Sequence, residues 1–482
     1  MSKPDYYRHP NAHYRGNPFI EGLGQPLTLE QFYANCEIPF DGDLDLSGVD
    51  ESLHGYYTRT AIDQLADVYT VQDEAYRLYD VMRRMIEAGY AKRNPLREDM
   101  RRILVAIDRD KADPWKAMHT SSLDLLSVQQ SFLLLGLSGR GKSTMVRQIC
   151  KQLKQVVEHT RYTDHSGEES IINKTQVTYL YVEVHDRRGQ KAVLLNLLEA
   201  IDTATGEEYR HAHRNKSVNE LITTVRKAFI GHSVGMVIID EAQNLATQAR
   251  SEVLNSNEKT SMKFIEELFN RVGVPLMFVG TLATLSLFKR ETTIGRRATK
   301  NGSLLLASCE IDSPFWKRFT RLLCQTQLLK NQTTPTDMLR RHLHHLSVGI
   351  PAIATSLVRA TLSYLTFLSP QDQDLSIAAL DDTFNREFKV LKPALTALRK
   401  GDYHKFEDFE PMLLLESAEQ SADDRDAIEQ RVSQLAEASL LQGKVKLRDK
   451  PQKPEVKKRA ALDQLSPEHL LGQLGYPLDK GR

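Results

Sequence analysis

The chain has 482 residues, a length that suggests two or three domains of about 150 residues each. Hydrophobic residues make up 41% of it and charged residues 26%, which is the composition of an ordinary soluble protein with a sizeable core. Because 64 Lys and Arg residues nearly balance 63 Asp and Glu residues, the net charge excludes a globally basic nucleic-acid binder and leaves only local basic surfaces.

The cysteines and the start of the chain exclude further classes. Cys36, Cys150, Cys309 and Cys324 show neither the spacing of a zinc site nor a disulfide framework, so we expect reduced, mostly buried thiols. The first residues are polar and lack the apolar core of a signal peptide, and no apolar run approaches the ~20 residues that span a bilayer. The sequence therefore predicts a cytoplasmic protein.

Residues 1–55 are polar and turn-rich and predict an extended N-terminal arm. Two interpretations stay open for this arm. It is either a disordered tail or a docking peptide, in which Phe19, Ile20 and Leu23 anchor on a partner or on the body of the protein.

Residues 56–120 predict a helical N-terminal region, because apolar residues recur there at helical spacing in two stretches. These are Leu78, Val81, Met82, Met85 and Ile86, then Ile103, Leu104 and Ile107. Residues 88–95 supply a helix stop between the two stretches. Seven Lys and Arg residues between Arg83 and Arg102 make the region locally basic, and a solvated helix face explains each of them better than a DNA contact.

Residues 136–144 read GLSGRGKST and fit the P-loop pattern G-x-x-x-x-G-K-[S/T]. Residues 132–135 before them predict a buried strand, and residues 145–157 after them predict a helix. The glycines let backbone amides surround phosphate oxygens, and the start of the helix adds its positive dipole end. Lys142 is expected to reach the β- and γ-phosphates and Ser143 to ligate Mg²⁺. The predicted nucleotide-binding residues are Gly136, Leu137, Ser138, Gly139, Arg140, Gly141, Lys142, Ser143 and Thr144.

Strand and helix signals alternate over residues 121–332, which predicts an α/β nucleotide-binding domain whose parallel sheet is covered by helices. After the P-loop strand, further strands are predicted at 177–184, 234–239 and 274–279, and a fifth at 322–329. Helices are predicted at 217–231 and 263–272, and a polar surface insertion at 160–173.

Three residues at predicted strand ends indicate ATP hydrolysis. Asp240 ends an apolar strand where it can hold Mg²⁺ through water, and Glu241 can polarise the attacking water. Thr281 ends the next strand and can hydrogen-bond the γ-phosphate or the water. A solvated turn for the acidic pair and a plain strand-end threonine are the alternatives. We expect an ATPase that converts ATP to ADP and phosphate with Mg²⁺. A kinase would need a pocket for a second substrate, and the sequence gives no sign of one.

The chain beyond residue 332 is predicted to be helical. Residues 333–402 form a helical lid with helices at 338–346, 352–367 and 376–398. Residues 403–482 form a C-terminal tail with a helix at 424–441, a basic Pro-punctuated linker at 444–459 and a short terminal helix.

These motifs together resemble the AAA+ ATPases, and more closely the TnsC/TniB family, the ATP-dependent regulators of transposons of the Tn-seven class. The resemblance rests on collinear segments that run from near the N-terminus to about residue 400. They are YRGNPFIEGL, AGYAKRNP, SFLLLGLSGRGKST, VIIDEAQNL, VGVPLMFVGT and FWKRFTRLLCQTQLL, with an Arg296-Arg297 pair before the last.

The resemblance implies a bacterial protein that assembles with ATP into rings or filaments on duplex DNA, largely independently of sequence. It implies recruitment by a TnsD/TniQ-type target selector, recruitment of a TnsA/TnsB-type transposase, and release on ATP hydrolysis. Arg296 and Arg297 lie where such ATPases place an arginine finger that acts on the neighbouring subunit's nucleotide; an exposed basic loop is the alternative. Arg187, Arg188 and Lys191 are candidate contacts to DNA phosphates.

Two departures and two rival functions accompany this resemblance. The lid carries SVGIPAI where many AAA+ proteins place an arginine sensor, and the last eighty or so residues show no match. A helicase loader or replication initiator is the main alternative, although strand-rich winged-helix signals are lacking after residue 400. A scaffold that binds ATP without hydrolysing it is the other.

Overall fold

The computed structural model describes residues 4–109, 130–185, 190–245, 273–284, 299–325, 328–331 and 334–401. Its strands are β1 (Ser131–Gly136), β2 (Val156–Thr163), β3 (Glu169–Val177), β4 (Tyr179–Glu183), β5 (Met236–Asp240), β6 (Leu276–Gly280) and β7 (Ser303–Leu306). The helices up to β5 are α1 (Pro18–Glu21), α2 (Leu29–Cys36), α3 (Glu51–Asp63), α4 (Ala75–Ala91), α5 (Glu98–Asp108), α6 (Lys142–Lys151), α7 (Gln190–Thr205), α8 (Tyr209–His213) and α9 (Val218–Gly231). After β7 follow α10 (Pro314–Cys324), α11 (Asp337–Ser347), α12 (Pro351–Leu365), α13 (Ile377–Glu387) and α14 (Lys392–Arg399).

A five-stranded parallel sheet forms the centre of the fold, in the order β4-β5-β6-β1-β7. Every residue of β1, β5 and β6 is buried, because helices cover both faces of the sheet. Burial on both faces explains why these strands are nearly continuous apolar runs in the sequence. Alternate residues of these strands, such as Phe132 and Leu134, share one core with α4 and α6. Helices α7 and α9 contact each other, and α7 contacts β4. The predicted α/β class with flanking helices is confirmed.

The fifth strand lies elsewhere than the sequence predicts. The expectation of a strand at 322–329 is wrong, since Leu322, Leu323 and Cys324 are the last residues of α10 and the fifth strand is β7. Helix α10 begins because the Ser313 side chain accepts a hydrogen bond from the Trp316 amide and Pro314 occupies the first turn. The apolar residues of α10 repeat at the helical period. The prediction missed this period because it considered only the apolar residues from Leu322 onward.

The predicted polar insertion at 160–173 is an antiparallel hairpin, made by β2 and β3. Strand β3 ends at Val177 and β4 begins at Tyr179, so the single strand predicted at 177–184 is in fact the junction of two strands in different sheets. The predicted helix at 217–231 is confirmed as α9. It starts with a capping box in which Ser217 and Glu220 bond to each other's backbone amides.

The N-terminal arm packs against the body of the protein. Phe19 and Ile20 are fully buried in the same core as α4 and β1, and Leu23 packs against that core. The Asn17 side chain accepts a hydrogen bond from the Phe19 amide and donates one of 2.8 Å to the Tyr90 carbonyl of α4. The segment thus corresponds to a docking peptide on the body and not to a disordered tail, and it contains the helices α1 and α2.

The lid helices α11 and α12 follow the predicted bounds closely. The turn between them needs Gly349, which has φ +68°, because a Cβ there would lie 2.4 Å from the Cys309 carbonyl oxygen. Among the described residues, no single helix is long and apolar enough to cross a membrane, and this pair, bent by 116°, reaches that length and apolarity only when taken together.

The chain divides into two compact units, residues 1–377 and 378–482. The single helix predicted at 376–398 is two helices, α13 and α14, with a short 3-10 turn at Lys389–Leu391. Pro393 causes this break because proline lacks an amide proton and clashes with the carbonyl four residues before it. The predicted helix at 263–272 and the predicted elements of the tail lie outside the described residues. All four cysteines are buried free thiols, as the sequence predicts, and burial raises the pKa of Cys150 to about 12.

Candidate active site

The P-loop connects the buried end of β1 to the first turn of α6. Gly139 and Gly141 have φ values of +74° and +90°, a region that L-residues with a side chain rarely adopt. A Cβ on Gly136 would lie 2.5 Å from the Leu306 carbonyl oxygen of β7. The loop therefore needs its glycines both for backbone conformation and for close packing against the neighbouring strand.

Lys142 lies over the loop. Its buried ammonium donates hydrogen bonds of 2.9 Å to the Gly136 carbonyl and 3.0 Å to the Leu137 carbonyl. Helix α6 begins without a side-chain cap, because its N-cap is Gly141. Ser143 and Thr144 follow in the first turn, partly exposed and exposed respectively. The amides at the start of this helix and the nearby ammonium form an arrangement suited to an anion such as a phosphate.

Asp240 ends β5 with its carboxylate buried and held from two sides. The Tyr181 hydroxyl of β4 donates to Oδ2, and the Glu241 amide donates to Oδ1 at 2.8 Å. Burial, followed by the hydrogen bond to Asp240 and its charge, raises the pKa of Tyr181. Tyr181 therefore remains a protonated donor at neutral pH, and it fixes the orientation of Asp240.

Glu241 is linked to the Thr281 backbone by one side chain, that of Gln243. The Gln243 amide nitrogen donates to Glu241 Oε2, while its oxygen accepts from the Thr281 amide at 3.1 Å and the Thr284 hydroxyl at 3.4 Å. Glu241 itself has φ +54°, an uncommon conformation for a residue with a side chain. This arrangement holds the acidic residue in register with the end of β6.

Parallel order brings these groups to one edge of the sheet. Strands β5, β6 and β1 are neighbours, so their carboxyl ends place the acidic pair, Thr281 and the P-loop side by side, which is where open α/β sheets bind ligands. The sequence predicted all of these residues. It missed Tyr181 and Gln243, whose roles depend on contacts between side chains and carry no signal of periodicity.

The residues present fit Mg²⁺ bound together with a nucleotide. Ser143 and Asp240 offer hard oxygen donors, and Mg²⁺ usually takes only one or two protein ligands and completes its shell with water and substrate phosphates. Among the described residues, no group of three His, Cys, Asp or Glu side chains could hold a metal ion alone.

The lid contacts the P-loop directly. The Ala352 amide donates to the Gly139 carbonyl at 3.2 Å, and a Cβ on Gly139 would lie 3.0 Å from Ile350 and 3.1 Å from Ala352. The first turn of α12 thus rests on the loop through small and apolar residues, at the position where the sequence offered no sensor arginine.

The predicted DNA contacts and the predicted arginine finger comprise five residues, of which the structure describes one. Arg187, Arg188, Arg296 and Arg297 lie outside the described residues, so their predicted roles stay predictions. Lys191 is exposed in the first turn of α7.

Residues 125–288, about a third of the chain, match the family of AAA domains. Together with the sheet order and the site, this match defines the class of this part of the chain: it is an AAA domain, an ATPase fold with a P-loop nucleotide site. No curated protein matches the chain.

Two solved structures are similar over much of their length. One is the ORC2 protein of Aeropyrum pernix, solved as ADPNP-ADP complexes, with 13% identity, a TM-score of 0.34, and coverage of 61% of this chain and 80% of that chain. The other is a Walker-type ATPase of Pyrococcus abyssi, with 13% identity, a TM-score of 0.32, and coverage of 56% and 71%. At TM-scores this low, neither likeness indicates what this chain acts on.

Proposed function

We propose that this AAA+ ATPase is a nucleotide-controlled switch of the TnsC/TniB type, which assembles on target DNA with ATP and regulates transposition. One observation carries the switch: the Ala352 amide of the lid bonds to the Gly139 carbonyl of the P-loop. A phosphate bound by this loop lies next to the lid, so the state of the nucleotide can set the position of α12.

The site residues divide the work of hydrolysis among them. Lys142 and the first amides of α6 bind phosphate oxygens, and Glu241 orients the attacking water and takes up its proton. Thr281 donates its hydroxyl to the γ-phosphate or the water. Ser143 and Asp240 would hold Mg²⁺, which when bound would supply positive charge to the phosphate oxygens.

The transposition part of the proposal is supported by the collinear segments of the TnsC/TniB resemblance. On this basis the partners are duplex DNA, further copies of the chain in a ring or filament, a TnsD/TniQ-type target selector and a TnsA/TnsB-type transposase. Arg187, Arg188 and Lys191 contact DNA phosphates, and Arg296 or Arg297 completes the neighbouring subunit's site. ATP hydrolysis then releases the assembly from DNA.

Light scattering with purified protein, Mg²⁺, nucleotide and duplex DNA tests the switch. We expect large assemblies with ATP and DNA, and none with ADP. Lys142→Ala should abolish assembly, whereas Lys151→Ala, an exposed lysine at the other end of the same helix, should leave it intact. A folded, ATP-bound protein that forms no assembly on DNA would overturn the proposal.

The partners need their own measurement. Electron micrographs of the assembly should show protein rings or filaments threaded by DNA. A transposition reaction with a cognate TnsA/TnsB-type transposase and TnsD/TniQ-type selector should then require this protein and ATP. Insertion at the same frequency and sites without the protein would contradict its role as the regulator.

A further inference from the structure

The sequence places Arg140 among the nucleotide-binding residues of the P-loop, but its side chain bonds to residues outside the site described above. It is only 4% exposed, and its Nε donates to the Ala307 carbonyl at 2.8 Å, just after β7. One terminal nitrogen donates to the Gln72 side-chain oxygen at 2.7 Å, and the other lies 3.6 Å from a Glu74 carboxylate oxygen. The guanidinium is thus held by residues from two distant parts of the chain.

We call residues 71–74, the stretch just before α4, the clasp segment. Gln72 of this segment also donates to the Arg140 carbonyl at 3.3 Å, and a Cβ on Gly141 would lie 2.7 Å from the Gln72 nitrogen. The clasp segment therefore touches both the side chain and the backbone of the loop, immediately before Lys142.

The other side of the clasp segment contacts α10. The Asp73 carboxylate accepts hydrogen bonds from the Phe315 amide at 2.9 Å and from Arg318 at 3.2 Å. Arg318 also donates to the Val71 carbonyl at 2.9 Å. Since α10 and the clasp segment hold each other, the partners of Arg140 have a fixed position.

A buried guanidinium is costly unless its donors are satisfied, and charge-assisted hydrogen bonds are the strong ones. Arg140 therefore favours the loop conformation in which it reaches Gln72 and Ala307 at once. Lysine keeps the charge but not the planar fork of donors, so it cannot replace both bonds.

We propose that Arg140 is a positioning residue that locks the P-loop in its nucleotide-binding conformation through the clasp segment. This rests on the proposed nucleotide binding. Because coupling is reciprocal, a bound nucleotide must stabilise the docked clasp segment to the same extent that the docked segment tightens nucleotide binding. The N-terminal region is then a part of the nucleotide switch and not only a support for the sheet.

The test measures the dissociation constant for a fluorescent ADP analogue and the turnover at saturating ATP. Arg140→Lys and Gln72→Ala should each raise the dissociation constant about tenfold, which corresponds to about 1.4 kcal/mol. The loss should fall more on the dissociation constant than on turnover at saturation, because the Arg140 side chain bonds to Gln72 and Ala307. The double variant should lose less affinity than the two single losses added together, since both variants remove the Arg140–Gln72 hydrogen bond.

Arg83→Lys is the matched control. Arg83 is 5% exposed and bonds to Glu87, Leu23 and Gly24 in the same N-terminal region, without touching the loop. Melting temperatures compare the folded states of all variants. Gln72→Ala keeps the test valid if Arg140→Lys fails to fold, because it removes only a neutral partner and leaves Arg140 bonded to Ala307. Hydrogen exchange supplies a second readout: the nucleotide should slow exchange at residues 69–74 in the wild type and not in Arg140→Lys.

The outcomes separate this proposal from the one on which it rests. A wild-type protein that binds no nucleotide overturns the proposed function. Normal wild-type binding with Arg140→Lys no weaker than Arg83→Lys overturns only the positioning role. The positioning role is also overturned if the losses of nucleotide affinity in the two single variants simply add up in the double variant.

Discussion

The hydroxyl of Tyr181 donates a hydrogen bond to the carboxylate of Asp240, across two neighbouring parallel strands. Beside Tyr181, Arg147 of α6 lies over its ring at 5.3 Å and bonds to Glu183 at 2.7 Å. The acidic residue that is to hold Mg²⁺ is thus oriented by the edge strand of the sheet. Partners of metal ligands of this kind tune metal affinity as well as geometry.

Tyr181→Phe should raise the Mg²⁺ concentration needed for half-maximal ATP hydrolysis by about 10- to 100-fold, because such partners typically contribute that much to metal affinity. Phosphate release measured against Mg²⁺ concentration checks this. Tyr179→Phe, on the same strand and without a bond to Asp240, is the control and should behave as the wild type. An unchanged Mg²⁺ dependence in Tyr181→Phe would show that the hydrogen bond does not serve the metal site.

Glu241→Gln should reduce turnover by about 10²- to 10⁴-fold, the usual contribution of a general base, while nucleotide binding persists. The amide keeps the shape of the side chain but cannot take up a proton from water. Assemblies on DNA should therefore outlive those of the wild type when free ATP is removed. Unchanged turnover and unchanged lifetime would instead favour a scaffold that binds ATP without hydrolysing it.

Gln243→Ala should lower the maximal turnover with little change in the Michaelis constant, since it frees Glu241 and the end of β6 without touching the P-loop. We expect a loss of about tenfold, comparable to removing a hydrogen bond to a charged group. Steady-state kinetics in the wild-type and Glu241→Gln backgrounds check the mechanism. If Gln243 acts through Glu241, its replacement should cost much less in the second background, and equal costs in both would contradict the idea.

The residues found from sequence and those missed differ in a physical way. The P-loop, Asp240 and Thr281 were predictable because each lies at the end of a buried apolar strand or directly after it. Tyr181 lies 59 positions from Asp240, and Arg140 lies 68 positions from Gln72, so only the folded chain brings these pairs together. Strand β7 was missed because four residues are too few to show a period.

The N-terminal arm gives a prediction about pH. Glu21 is fully buried; burial raises its pKa, but hydrogen bonds from Tyr162, His165 and the His9 and Gly16 amides outweigh this, so its pKa is lowered. A carboxyl with a lowered folded-state pKa adds stability above its unfolded pKa, and this is lost as the pH falls through the folded pKa.

Acidification should therefore release the arm, and Glu21→Gln should flatten the acid limb of the stability curve. At neutral pH the same substitution should cost about 1–3 kcal/mol, because buried donors lose a charged acceptor. Chemical denaturation between neutral and acidic pH measures both effects. Glu169→Gln, at an exposed position of β3, is the control, and an identical acid limb in Glu21→Gln and this control would contradict the role of Glu21.

Because Gly139 contacts the lid, a substitution there tests whether the P-loop passes the state of the nucleotide to α12. Gly139→Ala adds a methyl group where φ is +74° and where Ile350 and Ala352 lie 3.0 Å and 3.1 Å away, so the first turn of α12 must move outward. Gly141→Ala is the matched comparison: its methyl group would meet the Gln72 side chain and not the lid, at a similarly strained φ of +90°.

Both variants should bind nucleotide more weakly. Only Gly139→Ala should also change the response of α12 to ATP, read as hydrogen exchange over residues 350–358 with and without nucleotide. If the lid responds to ATP equally in both variants, the Gly139–Ala352 contact does not transmit the state of the nucleotide, and the switch must act through the Asp240–Thr281 edge of the sheet instead.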